Sequence, residues 1–213
     1  MVSGQWSVNV VLPITGHWPL ITEVMRAFIA IPLPSEVQEA LSALQRDVAK
    51  ARADVKWVRQ DQLHVTLKFL GEISEAQREV MTAMLRRVAD ATSPLALGVA
   101  ELGAFPSVTA PRVIWVGLRG EVEAVRRMAA TIEQEGGRLG LPKDDRPFAA
   151  HVTLGRVRSS RGREALAQQL RATVWVPPPP WQVSHMRLYQ SVLSPSGPSY
   201  TVLAEIPLSV KTT

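Results

Sequence analysis

The tetrapeptide His-Val-Thr-Leu occurs twice in this chain, at 64–67 and at 151–154. Side chains alternate along a strand, so a strand through either copy sets the imidazole and the hydroxyl on one face and the valine and leucine on the other. In the first copy Leu63, Val65, Leu67 and Phe69 form a core face, and His64, Thr66 and Lys68 look away from it. In the second, Phe148, Ala150, Val152 and Leu154 are apolar, and His151 and Thr153 face the other way. Two imidazoles beside two hydroxyls suit phosphoryl chemistry. Opening a cyclic phosphodiester in line needs one proton taken from water and one given to the leaving alkoxide, on opposite sides of phosphorus. Histidine titrates near neutral pH, so one neutral and one protonated ring can share that work. The threonine hydroxyls can hydrogen-bond the non-bridging oxygens, and a cation can neutralise the phosphoryl group. Lys68 and Arg146 are candidates for that last part.

Other chemistries find less support. The chain has four histidines and no cysteine, which removes disulfides, thiolate metal sites and cysteine nucleophiles. His185 sits in a strand with no partner motif and reads as structural; His17 lies in an atypical N-terminal stretch. No serine occupies a G-x-S-x-G elbow, and there is neither a P-loop nor H-E-x-x-H. Neither tetrapeptide has the clustered carboxylates a binuclear metal site wants. No metal and no cofactor are expected. Trp57, Phe148 and Tyr189 could stack a base or could belong to the core.

Alternating strands and helices must position these residues. Arg26–Ile31 reads as a buried strand, followed by a helix with an S-x-x-Q capping box at Ser35 and Gln38 and inward Val37, Leu41, Leu44 and Val48. Lys56–Val58 and Leu63–Leu70 read as strands punctuated by Gly71. Ser74 and Gln77 box a second helix, with Val80, Met84 and Val88 inward. Strands at Leu95–Leu102 and Arg112–Leu118 flank a turn-rich loop, GAFPSVTAP. A helix over Glu121–Leu139 frays at Gly136 and Gly137, a basic loop GLPKDDRP leads to a strand at Phe148–Val157, and a short helix covers Arg163–Leu170. Four prolines at 177–180 stop regular structure, and long strands follow at Trp181–Val192 and Tyr200–Leu208. The pattern is α+β with mixed or mostly antiparallel sheets. The repeated tetrapeptide suggests two related lobes that share a cleft.

Of the 213 residues, 46% are hydrophobic, enough for a sizeable core, and the net charge is +5. A basic surface suits an anionic partner such as RNA or a nucleotide. No stretch is long and apolar enough to span a bilayer, so no membrane partner is expected. The absence of cysteine fits the cytoplasm. Residues 1–24 carry no Lys or Arg before Arg26 and are broken by Pro13, Gly16 and Pro19; they read as an extension, either a disordered arm or the product of an upstream start codon, ahead of a single domain over 25–210.

The segments RAFIAIPLP, VKWVRQDQLHVTLKFLGEI, PRVIWVGL, RPFAAHVTLGRV and LYQSVLSPSGPSYTVLAEIPL resemble the two-histidine phosphoesterases, and most of all the RNA 2′,3′-cyclic phosphodiesterase branch, also called bacterial 2′-5′ RNA ligase (ThpR/LigT). The resemblance runs from about Met25 to Leu208. It implies a bilobal fold with pseudo-two-fold symmetry, two mostly antiparallel sheets and outer helices around a central cleft. It implies hydrolysis of 2′,3′-cyclic phosphate to a 2′-phosphate end, with reversible 2′-5′ ligation, in a monomer needing no metal and no obligate protein partner. It makes His64 the proton donor, His151 the proton acceptor, Thr66 and Thr153 phosphate ligands, and Arg156 a further phosphate contact. Strict alternation from His151 would put Arg156 on the apolar face; it reaches the cleft only if the strand twists, bulges or ends by Gly155. Two other readings use the same residues: a cyclic phosphodiesterase on a small nucleotide such as ADP-ribose 1″,2″-cyclic phosphate, and a nucleotide- or RNA-binding module without turnover.

Overall fold

A computed structural model describes residues 24–195 and 197–209; the expectations placed on the N-terminal stretch, His17 among them, lie outside the described residues. Nine strands and four helices follow one another as β1 (Val24–Pro32), α1 (Ser35–Ala49), β2 (Val55–Trp57), β3 (His64–Ser74), α2 (Glu75–Asp90), β4 (Leu95–Phe105), β5 (Val113–Gly120), α3 (Val122–Arg138), β6 (His151–Val157), α4 (Arg163–Ala172), β7 (Trp181–Val183), β8 (His185–Ser194) and β9 (Gly197–Pro207). None of these helices is long and apolar enough to cross a membrane.

All strand pairings are antiparallel, and the order is β7-β4-β5-β6-β3-β1-β8-β9, with β2 on β6. The expected two sheets are therefore the halves of one hydrogen-bonded sheet, which curls around its open face. They meet where β3 and β6 lie side by side, with Val65 opposite Val152. The six central strands mirror each other across that seam: β6, β5 and β4 on one side match β3, β1 and β8 on the other. Each half receives strands from the other's stretch of chain. β4 follows α2 of the first half yet pairs with β5, and β8 follows α4 of the second half yet pairs with β1. The long strand expected over Trp181–Val192 is split for this reason: β7 pairs with β4 in one half, and after Ser184 β8 joins the other.

The helices cover the opposite face. Val37, Leu41, Leu44 and Val48 of α1 are buried as their spacing requires. The Ser35 box does not form: Pro34 takes the N-cap position in an extended conformation, Ser35 becomes the first helical residue, and the Gln38 amide donates to the Leu33 carbonyl instead. The Ser74–Gln77 box forms in full. In α2 the inward residues are Met81, Met84, Leu85 and Val88, and Val80 is 46% exposed; with the helix starting at Glu75, Val80 falls a position outside the buried stripe. The Gly136–Gly137 pair does not end α3 early. Gly136 is buried, and a Cβ there would meet Leu141 Cδ1 at 3.2 Å and Lys68 Cε at 3.5 Å.

Candidate active site

Both catalytic-type tetrapeptides open a strand at the seam, and both strands bulge at the same place. Along β3 the register with β1 passes from Ala30–Thr66 to Ile29–Lys68, leaving Leu67 as the extra residue. Along β6 the register with β5 passes from Trp115–Thr153 to Ile114–Gly155, leaving Leu154 as the extra residue. A bulge reverses the facing of everything after it.

That reversal brings Arg156 to the open face with His151 and Thr153, and it is exposed there. Its charge is felt by His151 and, across the seam, by Tyr200. The same reversal overturns the expectation for Lys68. Lys68 turns to the helix side and is 2% exposed. Its ammonium donates to Glu133 Oε2 at 2.6 Å and to the Pro142 carbonyl at 3.1 Å, with Asp144 at 3.7 Å. Burial raises the Glu133 carboxyl, but the Lys68 ammonium and the Asp144 N–H outweigh it and hold the group below the ordinary carboxylate range. The residue that reaches the open face in its place is Phe69, 57% exposed. Alternation had put Phe69 in the core.

The two imidazoles are held alike. His64 Nδ1 donates to the Gln62 carbonyl at 2.7 Å, and His151 Nδ1 donates to the Ala149 carbonyl at 2.7 Å, each two residues upstream. A carbonyl oxygen only accepts, so these bonds put the ring proton on Nδ1 and leave Nε2 free to exchange one. Nε2 of His64 lies 3.0 Å from Thr66 Oγ1, and Nε2 of His151 lies 3.3 Å from Thr153 Oγ1. One step either way from the Val65–Val152 pair, an antiparallel ladder sets His64 opposite Thr153 and Thr66 opposite His151. Two imidazoles and two hydroxyls thus occupy the corners of one patch.

Aromatic rings wall each imidazole. Phe28 lies 4.9 Å and Tyr200 5.7 Å from His64, centroid to centroid. Phe105 lies 5.3 Å and Trp115 6.4 Å from His151. Burial pushes His64 down to about 4; the Gln62 carbonyl opposes this and the nearby His151 adds to it. Burial also lowers His151, opposed by the Ala149 carbonyl and helped by Arg156. Both shifts favour the neutral rings at pH 7.

Of the remaining candidates, Arg146 is exposed in the loop before β6 and makes no hydrogen bond or ion pair among the described residues. Trp57 and Phe148 pack against the core. Tyr189 stacks on Phe28 at 5.1 Å, beside His64. His185 lies apart from the seam, at the start of β8, with Glu205 at 3.6 Å. Burial raises the Tyr200 hydroxyl's pKa, against the pull of Arg156. Neither Phe69 nor Tyr200 was singled out by sequence reasoning. Phe69 follows Leu67 and Lys68 in unbroken alternation, so the sequence carried no sign of the bulge in the first copy.

The chain matches the model of the family described as LigT like Phosphoesterase twice, at residues 31–115 and 116–200, and each match holds one His-Val-Thr-Leu. The RNA 2′,3′-cyclic phosphodiesterase of Thermus thermophilus is 36% identical over 194 residues, covering 86% of this chain and 90% of the relative. The protein of the same name from Aquifex aeolicus is 30% identical over 187 residues, covering 87% and 98%. Among solved structures, Escherichia coli LigT in complex with 3′-AMP superposes with a TM-score of 0.71 at 26% identity, covering 88% of this chain and 100% of that one.

Proposed function

This chain belongs to the LigT-like phosphoesterases, and from that premise we propose that it hydrolyses 2′,3′-cyclic phosphate ends of RNA to 2′-phosphate ends with His64 and His151 as its acid and base. The observation that carries this reading is the matched tethering of the two rings, each with Nδ1 on a carbonyl and Nε2 beside a threonine hydroxyl, across one strand pair.

The cyclic phosphodiester seats its non-bridging oxygens against Thr66, Thr153 and Arg156. His151 Nε2 takes a proton from water as its oxygen attacks phosphorus. The bond from phosphorus to the 3′ oxygen breaks, and His64 gives that oxygen its proton. The product carries a 2′-phosphate and a 3′-hydroxyl. His64 must be charged to do this, and burial of its ring disfavours that. The substrate's own negative charge supplies the remedy, because an anion beside the ring favours imidazolium. His64 therefore gains its proton as the phosphate binds. A 5′-hydroxyl in place of water would form a 2′-5′ linkage by the same steps.

The reaction is written with imidazoles alone; among the described residues no three His, Asp or Glu side chains cluster as a metal site would need. Both halves of the site come from one chain, so a monomer suffices, and the lack of cysteine suits the cytoplasm. The test is an RNA ending in 2′,3′-cyclic phosphate, incubated with chelator. Wild type should turn it over, and His64→Ala and His151→Ala should each lower kcat/KM on the order of 10² to 10⁴-fold. A wild-type rate in either variant would overturn the assignment.

A further inference from the structure

Lys56 stands directly opposite Arg156 in the short β2–β6 pairing, with Val55 opposite Val157 and Trp57 opposite Gly155. A Cβ on Gly155 would meet Val55 Cγ1 at 2.8 Å and Trp57 Cε3 at 2.9 Å, so Val55 and Trp57 point to the helix side. Lys56 and Arg156 consequently share the open face with both imidazoles. Both cations are exposed, and neither makes an ion pair among the described residues. The acidic side chains nearest in sequence are engaged elsewhere. Asp54 accepts from Arg158 Nε at 2.9 Å and from Ser159 at 2.8 Å, and Asp61 holds Arg59. Like charges in direct cross-strand register oppose folding, and an anion lying over both removes that penalty.

A second observation places the lysine across the open face rather than out in solvent. A Cβ on Gly197 at the start of β9 would lie 3.7 Å from Lys56 Nζ. The same stretch is tied down where the Gln62 amide donates to the Pro198 carbonyl at 2.5 Å. Lys56 thus reaches from the second half of the sheet to the β8–β9 hairpin of the first, level with Arg156 across the strand pair.

We propose that Lys56 forms, with Arg156, a second phosphate position that takes the phosphodiester on the 5′ side of the terminal nucleotide. This rests on the reading above, in which Arg156 contacts the cyclic phosphate, and it adds that the site distinguishes an RNA end from a lone nucleotide. A cyclic mononucleotide with a free 5′-hydroxyl has nothing to offer Lys56. An oligonucleotide has the next phosphate in series.

The test compares a uridine trinucleotide ending in 2′,3′-cyclic phosphate with 2′,3′-cyclic UMP bearing a 5′-hydroxyl, using the full chain. In Lys56→Gln the ratio of kcat/KM, trinucleotide over mononucleotide, should fall about tenfold, and Lys56→Arg should keep it. An unchanged ratio in Lys56→Gln overturns the proposal. Binding supplies a readout independent of turnover. The affinity of the uridine trinucleotide ending in 2′-phosphate should depend less steeply on salt in Lys56→Gln, the logarithmic slope being shallower by about 0.7. An unaltered slope also overturns the proposal. A shallower slope in a protein whose wild type opens no cyclic phosphate would keep the Lys56 position and sink the hydrolase reading instead.

Discussion

The two halves of the sheet place the same four residues in the same way and then diverge within two positions. In both, the leucine of the tetrapeptide bulges, the ring is tethered to the carbonyl two residues back, and Nε2 meets a threonine hydroxyl. After the bulge the first half reads Lys68-Phe69 and the second Gly155-Arg156. The position that turns inward is a buried lysine on one side and a glycine packed under Trp57 and Val55 on the other. The position that turns outward is an aromatic ring on one side and a guanidinium on the other. Duplication accounts for the proposed acid–base pair, whose members must flank phosphorus. Divergence fits the substrate's asymmetry, since the 3′ oxygen departs on one side of phosphorus while the nucleoside stays joined through the 2′ oxygen.

Several changes would break or sharpen that contrast. The largest effect should come from Lys68→Ala. Removing the buried ammonium strands Glu133 and empties the space beside Gly136, at a cost of about 3 kcal/mol, read as a lower denaturant midpoint; a change within error would show that the inward position carries no weight. Arg156→Ala should lower kcat/KM on the order of 10² to 10³-fold with little change in stability, and Arg156→Lys should recover only part, because an ammonium lacks the planar fork.

The acid response of His64 should follow. Its folded-state pKa lies below the unfolded value of 6.5, so the contribution to stability is complete above pH 6.5 and is lost as the pH falls from 6.5 towards about 4. That gap is worth about 3 kcal/mol at the acid end. His64→Gln should flatten the dependence of unfolding free energy on pH in that window; an unchanged slope would place the acid sensitivity elsewhere. The smallest effect belongs to Phe69→Ala. If the exposed ring stacks the terminal base, its loss should raise KM about tenfold and leave kcat nearly unchanged. A fall in kcat alone would argue against stacking.

The residues of the candidate site stood out because the same four letters are written twice. Most elements were legible as well: the α1 spacing, the Ser74 box and the proline stop reappear in the fold. Facing was legible only up to the bulge. Alternation carries His64, Thr66, His151 and Thr153 correctly, and then assigns Lys68 and Phe69 to each other's faces. The glycine at 155 was a usable sign, since glycine within a strand marks bulges and close approaches; the first copy had no such marker. The Ser35 box failed for a local reason, because Pro34 sits before it in extended backbone and the helix begins a residue earlier. The strand exchange was invisible, as pairing partners distant in sequence leave no periodicity to read.

That exchange limits what the halves can be separately. Since β4 completes the sheet of the second half and β8 that of the first, cutting the chain near Pro111 yields two fragments, each lacking its neighbour's lent strand and each exposing an apolar edge. They should associate before either folds, and the imidazole pair should assemble only when they do. The enzyme's symmetry is thus that of an interlocked pair rather than of two beads on a string.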